Sequence, residues 1–481
     1  MRNILLGVLI VILIGCSDRT TEKAAGPPAV PVRLCTDAEI LAGTLTAPCA
    51  VSPAGIAATY PSSGSSPTFV DGNFTGAVTI GTTLAWKNPG TIVVDGDSRA
   101  ARNNTSDDNE KLDTGWLNWA NIFLGQRLTV VADVANSGDK TSDILAGIPA
   151  ALEYGAQYHF AQGGINDVIT GVSAATITAN LAAIYAAIYA GGSIPIAATI
   201  APADAIDTSA ERQVYFDVNK WIRSYCKTQG IIVIDFVGPV IDGDNSYPNP
   251  LPGMTNDGTH QTNLGAIVLG KAIYNRLYQV FPEVDNFSNS NADPNVLNAN
   301  PMQIGTSGTA STGASGTFAD GWAAQATNSG TVVGSKVART DGIDGEWQQL
   351  VISATTTGTT DCRYYSLIPS GPSYIGDTIK IAVEADYGSS AIPNLYGIQI
   401  RVDALNSSWV SIDASYGIKY ASTATDTEIT TGIGYGVYTS GAFTVPASTA
   451  YLYIYIDSYF EGVGSGTIKV GRAEAILVED N

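Results

Sequence analysis

A change of rhythm constrains this chain more than any other feature. From residue 91 to about residue 284, short apolar runs alternate with longer stretches of helical spacing, and beyond residue 298 the helical spacing disappears. Strand-like runs at 91–94, 128–131, 156–160, 194–200 and 231–237 are separated by helix-like stretches at 116–124, 142–154, 174–189 and 209–228. Leu264, Ile267, Val268, Tyr274, Leu277, Tyr278 and Phe281 then follow one more helical face. Such alternation predicts a parallel sheet with helices on both sides. The nearly continuous apolar run 231–237 reads as a strand buried on both faces. In sheets of this kind the chemistry gathers beyond the C-terminal ends of the strands.

The second half of the chain has a different period. Runs at 331–338, 348–353, 378–385, 397–402, 452–456 and 466–470 are strand-like, with Gly, Ser and Asp between them. They predict an antiparallel β-sandwich of the jelly-roll kind. The polar stretch 286–298 reads as a linker, so each half is expected to fold by itself. Residues 51–90, rich in Gly, Ser, Thr and Pro, read as a small β-rich lead-in.

The beginning of the chain reads as a targeting segment. Arg2 precedes an apolar run at 4–14 interrupted only by Gly7. That run is shorter than the roughly 20 residues needed to span a bilayer, but it suits the core of a signal peptide. Leu13, Ile14, Gly15 and Cys16 then resemble a bacterial lipobox, which implies acylation of Cys16 and a tether over 17–31. A plain secretory signal with an incidental Cys is the alternative. The expected organisation is a lipoprotein signal at 1–16, a tether and lead-in at 17–90, an α/β domain at 91–284, a linker at 285–299 and a sandwich at 300–481. The expected location is the cell envelope, outside the cytoplasm, with the membrane as partner through the lipid. There, Cys35 and Cys49 are candidates for a disulfide closing a short loop, while Cys226 and Cys362 are expected to be buried free thiols. No Cys or His spacing suggests a metal site, and no cofactor is expected. With 24 basic against 44 acidic residues the net charge is −20, a field that repels nucleic acid.

Gly96, Asp97 and Ser98 stand where the first strand of the α/β region ends. A serine there projects at the mouth of the sheet, although Gly, Asp and Ser also make ordinary turns. A serine nucleophile needs a base that titrates near neutrality, and the chain holds two histidines, His159 and His260. His159 lies inside a strand-like run, where a structural role is the plainer account. His260 follows Asp257 by three residues, just before the last helix, so the carboxylate can curl back to orient the imidazole. Gly138, in the loop after the second strand, offers a backbone N–H for an oxyanion, and Asn166, after the third, offers its amide. Each is also compatible with a mere turn.

Taken in order, these segments resemble the four blocks of the SGNH, or GDSL-like, hydrolases. Gly96-Asp97-Ser98 resembles the first block and 137–141 around Gly138 the second. Gly164-Ile165-Asn166-Asp167 resembles the third, and Asp257-Gly258-Thr259-His260 the last. The resemblance covers about 91–284 and implies a flavodoxin-like three-layer α/β/α fold. It also implies roles: Ser98 as nucleophile, Ser98 N–H with Gly138 and Asn166 as oxyanion donors, His260 as base and Asp257 as its orienter. Arg99 departs from the aliphatic residue common after that serine, which reads as disfavouring a fat-soluble substrate. The C-terminal part resembles carbohydrate-binding jelly rolls and the sandwich modules of phage-tail and surface proteins. Trp322, Trp347 and Trp409 are candidates to stack on sugars, or to fill the core.

The expected function is hydrolysis of carboxylic esters, foremost O-acetyl groups on extracellular polysaccharide or peptidoglycan. The alternatives are a surface or glycan-binding protein with a secondary hydrolase domain, and a lipase or thioesterase.

Overall fold

The structure, a computed structural model, describes residues 90–103, 111–243, 247–281, 285, 287, 288, 290–369, 371–420 and 427–478, together with the backbone of six two-residue strands between residues 33 and 85. Cys16, expected to be acylated, and Cys35, expected to pair with Cys49, lie outside these residues, and Cys49 is described in its backbone alone. Cys226 and Cys362 are buried and free, and burial pushes both thiols up to about 12.

The first domain runs β1 (Thr91–Gly96), α1 (Trp116–Phe123), β2 (Thr129–Asp133), α2 (Thr141–Leu152), β3 (Tyr158–Gln162), α3 (Ile165–Ile169), α4 (Ala174–Ala190), β4 (Ile194–Ala198), α5 (Ser209–Gln229), β5 (Ile232–Ile234) and α6 (Asn263–Leu277). All five strands are parallel, in the order β5-β4-β3-β1-β2. Read from the other edge this is the flavodoxin-like order, with a switch point beside β1. One apolar cluster joins the sheet to α1 and α6, and a second joins its other face to α2, α4 and α5. The helix ends obey local chemistry. Thr208 and Glu211 cap each other's backbone at the start of α5, and Gly230 closes it at φ +71°. One reading is corrected here. Of the run 231–237 only three residues form strand, at the sheet edge, where Ile232 and Val233 are half-buried. Phe236 leaves the sheet to meet the edge of Trp116.

The second domain runs β6 (Thr309–Ala310), β7 (Ala314–Gly316), β8 (Trp322–Ala326), β9 (Gly330–Ala338), β10 (Glu346–Ala354), β11 (Thr359–Ile368), β12 (Thr378–Asp386), β13 (Leu395–Leu405), β14 (Ser411–Ile418), β15 (Tyr435–Thr439), β16 (Phe443–Thr444), β17 (Tyr451–Glu461) and β18 (Gly464–Leu477). One sheet has the order β6-β8-β11-β17-β13-β14, and the other β7-β9-β10-β18-β12-β15, with β16 paired to β12. The pairing is antiparallel except where β6 joins β8 and β7 joins β9. Strict alternation separates the faces of β17. Leu452, Ile454 and Ile456 enter the core, while Tyr451, Tyr453 and Tyr455 lie on the opposite face, where Tyr453 and Tyr455 are buried in a small cluster with Leu405.

The two halves share a core. Trp119, Ile122 and Phe123 of α1 and Ala266 and Ile267 of α6 belong to the same buried cluster as the sandwich interior. Polar links reinforce the joint: Lys111 Nζ donates to Thr439 O at 2.6 Å and Gln126 Nε2 to Val437 O at 2.7 Å. The stretch 286–298, read as a polar linker, is corrected in its last part. Leu297 and Asn298 are buried, and Asn298 takes the N–H of Ala475 and donates to the carbonyl of Ala473 in β18.

Candidate active site

Three features present the serine just beyond the end of β1. The β-branched strand is buried along its length, so its end is fixed. Gly96 lets β3 approach, since a Cβ there would sit 2.3 Å from the carbonyl oxygen of Gln162. Asp97 then makes a turn, its Oδ1 accepting from Arg99 N at 2.9 Å and its carbonyl from Ala100 N and Ala101 N at 3.0 Å each. Ser98 emerges half-buried at the lip of the sheet.

Across from it, His260 Nε2 lies 2.7 Å from Ser98 Oγ, and His260 Nδ1 lies 2.6 Å from Asp257 Oδ2. Asp257 Oδ1 also accepts from the backbone N–H groups of Thr259 and His260 at 2.9 and 2.7 Å. Partial burial works against its charge, but the hydrogen bonds from His260 and Thr259 outweigh it and bring the carboxyl down to about 2. Asp257 is therefore ionised at any ordinary pH. Its carboxylate favours the hydrogen on Nδ1, leaving Nε2 to accept from the Ser98 hydroxyl. The site is held from below by α6, whose first turn is capped by Thr262 Oγ1 accepting from Gly265 N at 3.1 Å.

The other two sequence blocks meet beside this pair. Asn136 N donates to Gly96 O at 3.0 Å, which ties the loop carrying Gly138 to the nucleophile's strand. Gly138 has φ +92° and is exposed, with its N–H unobstructed by a side chain. Asn166 Nδ2 donates to Asp139 O at 2.9 Å, so block three is joined directly to block two. An amide has two N–H donors, and this bond uses one. Buried Asp167 completes the joint by accepting from both Thr141 N and Thr141 Oγ1 at 2.8 Å.

The structure thus brings Ser98, Asp257 and His260 into one hydrogen-bonded line and sets Gly138 and Asn166 on neighbouring loops. It leaves His159 out: that ring is 1% exposed within β3, and its Nε2 is 3.5 Å from Asp95 Oδ2. Among the described residues no group of three or more His, Cys, Asp or Glu side chains is arranged to hold a metal.

The inference from Arg99 is corrected. Its side chain is 4% exposed and points inward, donating to the carbonyls of Thr259, Ala201 and Pro202. It therefore carries no information about substrate polarity. Of the three tryptophans, Trp322 is core, stacked on Tyr364 at 4.7 Å, and Trp347 lies beneath the Arg339 guanidinium. Trp409 alone among them stands free, 58% exposed and stacked on Tyr451 at 4.0 Å.

Residues 95–266 match the model of the GDSL-like lipase/acylhydrolase family. Similar solved structures include a GDSL-like lipase from Bacteroides thetaiotaomicron, 17% identical over 40% of this chain and 87% of that one, with a TM-score of 0.32. A member of the lipolytic protein G-D-S-L family from Veillonella parvula is 16% identical over 40% of this chain and 99% of that one, TM-score 0.30. A psychrotrophic esterase from Pseudoalteromonas is 16% identical over 40% and 98%, TM-score 0.31. A search of the curated proteins finds no match.

Proposed function

We propose that this chain, whose residues 95–266 form a GDSL-like lipase/acylhydrolase domain, is a serine esterase acting on O-acetyl groups of an extracellular polysaccharide or peptidoglycan. The observation that carries the catalytic part is the 2.7 Å contact between Ser98 Oγ and an imidazole whose far nitrogen is held by an ionised carboxylate. In this mechanism Ser98 Oγ attacks the acyl carbon as its proton passes to His260 Nε2. The oxyanion is met by the N–H groups of Ser98 and Gly138 and the remaining N–H of Asn166. The intermediate collapses when His260 gives its proton to the departing sugar oxygen. A water, deprotonated by His260, then attacks the acyl-enzyme and releases the acid and the Ser98 hydroxyl.

The glycan part of the reading rests on the sandwich. Trp409, 58% exposed, and Tyr451 present a stacked pair on the outward side of the six-stranded sheet, backed by the buried rings of Tyr453 and Tyr455. Aromatic faces of this kind suit sugar rings, which carry C–H groups on one side. The same reading places the protein in the cell envelope, acylated at Cys16, with no cofactor. Aryl esters of increasing acyl length test the substrate class. Turnover falling steeply beyond the acetyl group is expected, and a preference for long acyl chains would favour a lipase or thioesterase instead.

A further inference from the structure

His260 must stay within hydrogen-bonding distance of Ser98 although 162 residues separate them. The loop carrying His260 is irregular, and Asp257 and His260 are themselves partly open to solvent. Backbone bonds from Asn256 N to His260 O at 3.0 Å and from Asp204 N to Gly258 O at 2.8 Å close this loop and tie it to the segment after β4, but they do not reach the turn that carries Ser98. We infer that Arg99 and Gln261 form a positioning lock that fixes the base against the nucleophile.

The lock joins the two residues flanking His260 to the one residue that follows Ser98. On one side Arg99 Nε donates to Thr259 O at 3.0 Å. On the other, Gln261 Nε2 donates to Arg99 O at 2.8 Å. The guanidinium is anchored in turn: Nη1 donates to Ala201 O at 2.7 Å and Nη2 to Pro202 O at 3.0 Å, just beyond β4. Arg102 Nη1 adds a bond to Gln261 O at 2.9 Å. A planar group with donors in a fixed fork is suited to gripping three carbonyls at once, and a lysine ammonium on its flexible stem is not.

Asp97 is tied to the same turn: Arg99 donates its own backbone N–H to Asp97 Oδ1, and Gln162 Nε2 donates to Asp97 Oδ2 at 3.1 Å, while burial raises the pKa of this carboxyl. Burial works against the charge of Arg99, and Asp97, Tyr215 and Asp257 favour it. Burying a guanidinium is costly, and the three carbonyls it meets offset part of that cost. Here every side-chain bond it makes ends either on the base loop or on the adjoining strand end.

The inference rests on the reading of Ser98 and His260 as nucleophile and base, and its test separates the two. The full chain and its Arg99→Met and Arg99→Lys variants are compared by imidazole nitrogen–proton NMR correlation, by para-nitrophenyl acetate kinetics and by Tm. The two histidines make the ring signals assignable. In Arg99→Met the His260 ring signal should shift or broaden while that of His159 stays put. kcat should fall about 10- to 100-fold with KM within about twofold, because misplacement by about an ångström costs rate rather than binding. Arg99→Lys should lie between the two. If Arg99→Met does not fold, Gln261→Met cuts the other strap without stranding Asp97, and it should move the same His260 signal and lower kcat several-fold. An unchanged His260 signal in the folded variant, or kcat within about twofold of wild type, overturns the lock. A wild type inert towards the ester, with the His260 signal still moving in Arg99→Met, would sink the esterase reading and leave the lock standing.

Discussion

Charge placement at single positions decides how this protein responds to pH. Asp133, the last residue of β2, is held by burial, only partly offset by the N–H of Ala135 and worsened by Asp95, at a pKa raised to about 7. An unfolded aspartate titrates near pH 4. The sign follows: below about pH 4 both states are protonated and Asp133 is neutral to stability, whereas between about 4 and 7 the unfolded state ionises first and folding loses ground. Asp133→Asn is expected to raise Tm at about pH 8, by about 1 °C for each kcal/mol relieved in a cooperative unit of this size, and to leave it unchanged near pH 4. Differential scanning calorimetry at the two pH values measures this. An equal shift at both would trace the gain to packing instead. Asp257 shows the opposite case, a carboxylate stabilised by its neighbours, and its place beside His260 was legible because it stands three residues from a histidine in a chain with only two. Arg99 was not legible in that way. Its carbonyl partners are 102, 103 and 160 residues distant, so nothing local announced that this arginine would be buried.

At the scale of elements, the apolar period revealed the five strands and the long helices of the first domain, since each buries one stripe against the sheet. It revealed less of the sandwich. β11 escaped notice because its outward positions carry Asp361, Arg363 and Tyr365, which form ion pairs and ring contacts across the sheet and read as loop in one dimension. The polar stretch before the sandwich was misread for a related reason, since asparagine is at home in turns and equally able to satisfy buried carbonyls, as Asn298 and Asn300 do. One glycine was silent too. At Gly270 on α6, a Cβ would stand 2.6 Å from Trp119 Cβ and 3.0 Å from the backbone of Ala120 and Trp116. In an exposed helix Gly→Ala gains roughly 1 kcal/mol, but forced overpacking costs about 1–3. Gly270→Ala should therefore lower Tm and, because α6 starts three residues after His260, reduce ester turnover as well. A higher Tm would show that α1 and α6 have room to give.

For the molecule as a whole, the shared core reverses the expectation of two independent halves. Removing the sandwich would expose Trp119, Ile122, Phe123, Ala266 and Ile267 together, an apolar patch on the two helices that flank the site. It would also take away the carbonyl of Tyr396, to which Asn263 Nδ2 donates at 2.5 Å, and the Thr427 hydroxyl, which donates to Asn263 Oδ1 at 3.2 Å. Asn263 opens α6 and is fully buried. A chain ending at residue 284 is accordingly expected to aggregate or to lose most of its activity on a small aryl acetate. Full activity in a soluble, monomeric truncation would show that the joint is dispensable.

The proposed function depends on Ser98 Oγ being the atom that takes the acyl group. The most direct measurement is turnover of para-nitrophenyl acetate by the Ser98→Ala variant of the full chain, set beside its Tm. Because the residues of a triad act as a unit, a loss of about 1,000-fold or more is predicted with Tm unchanged within about a degree. Turnover close to that of the wild type, in a variant that is folded and free of contaminating esterase, would contradict the account at its centre.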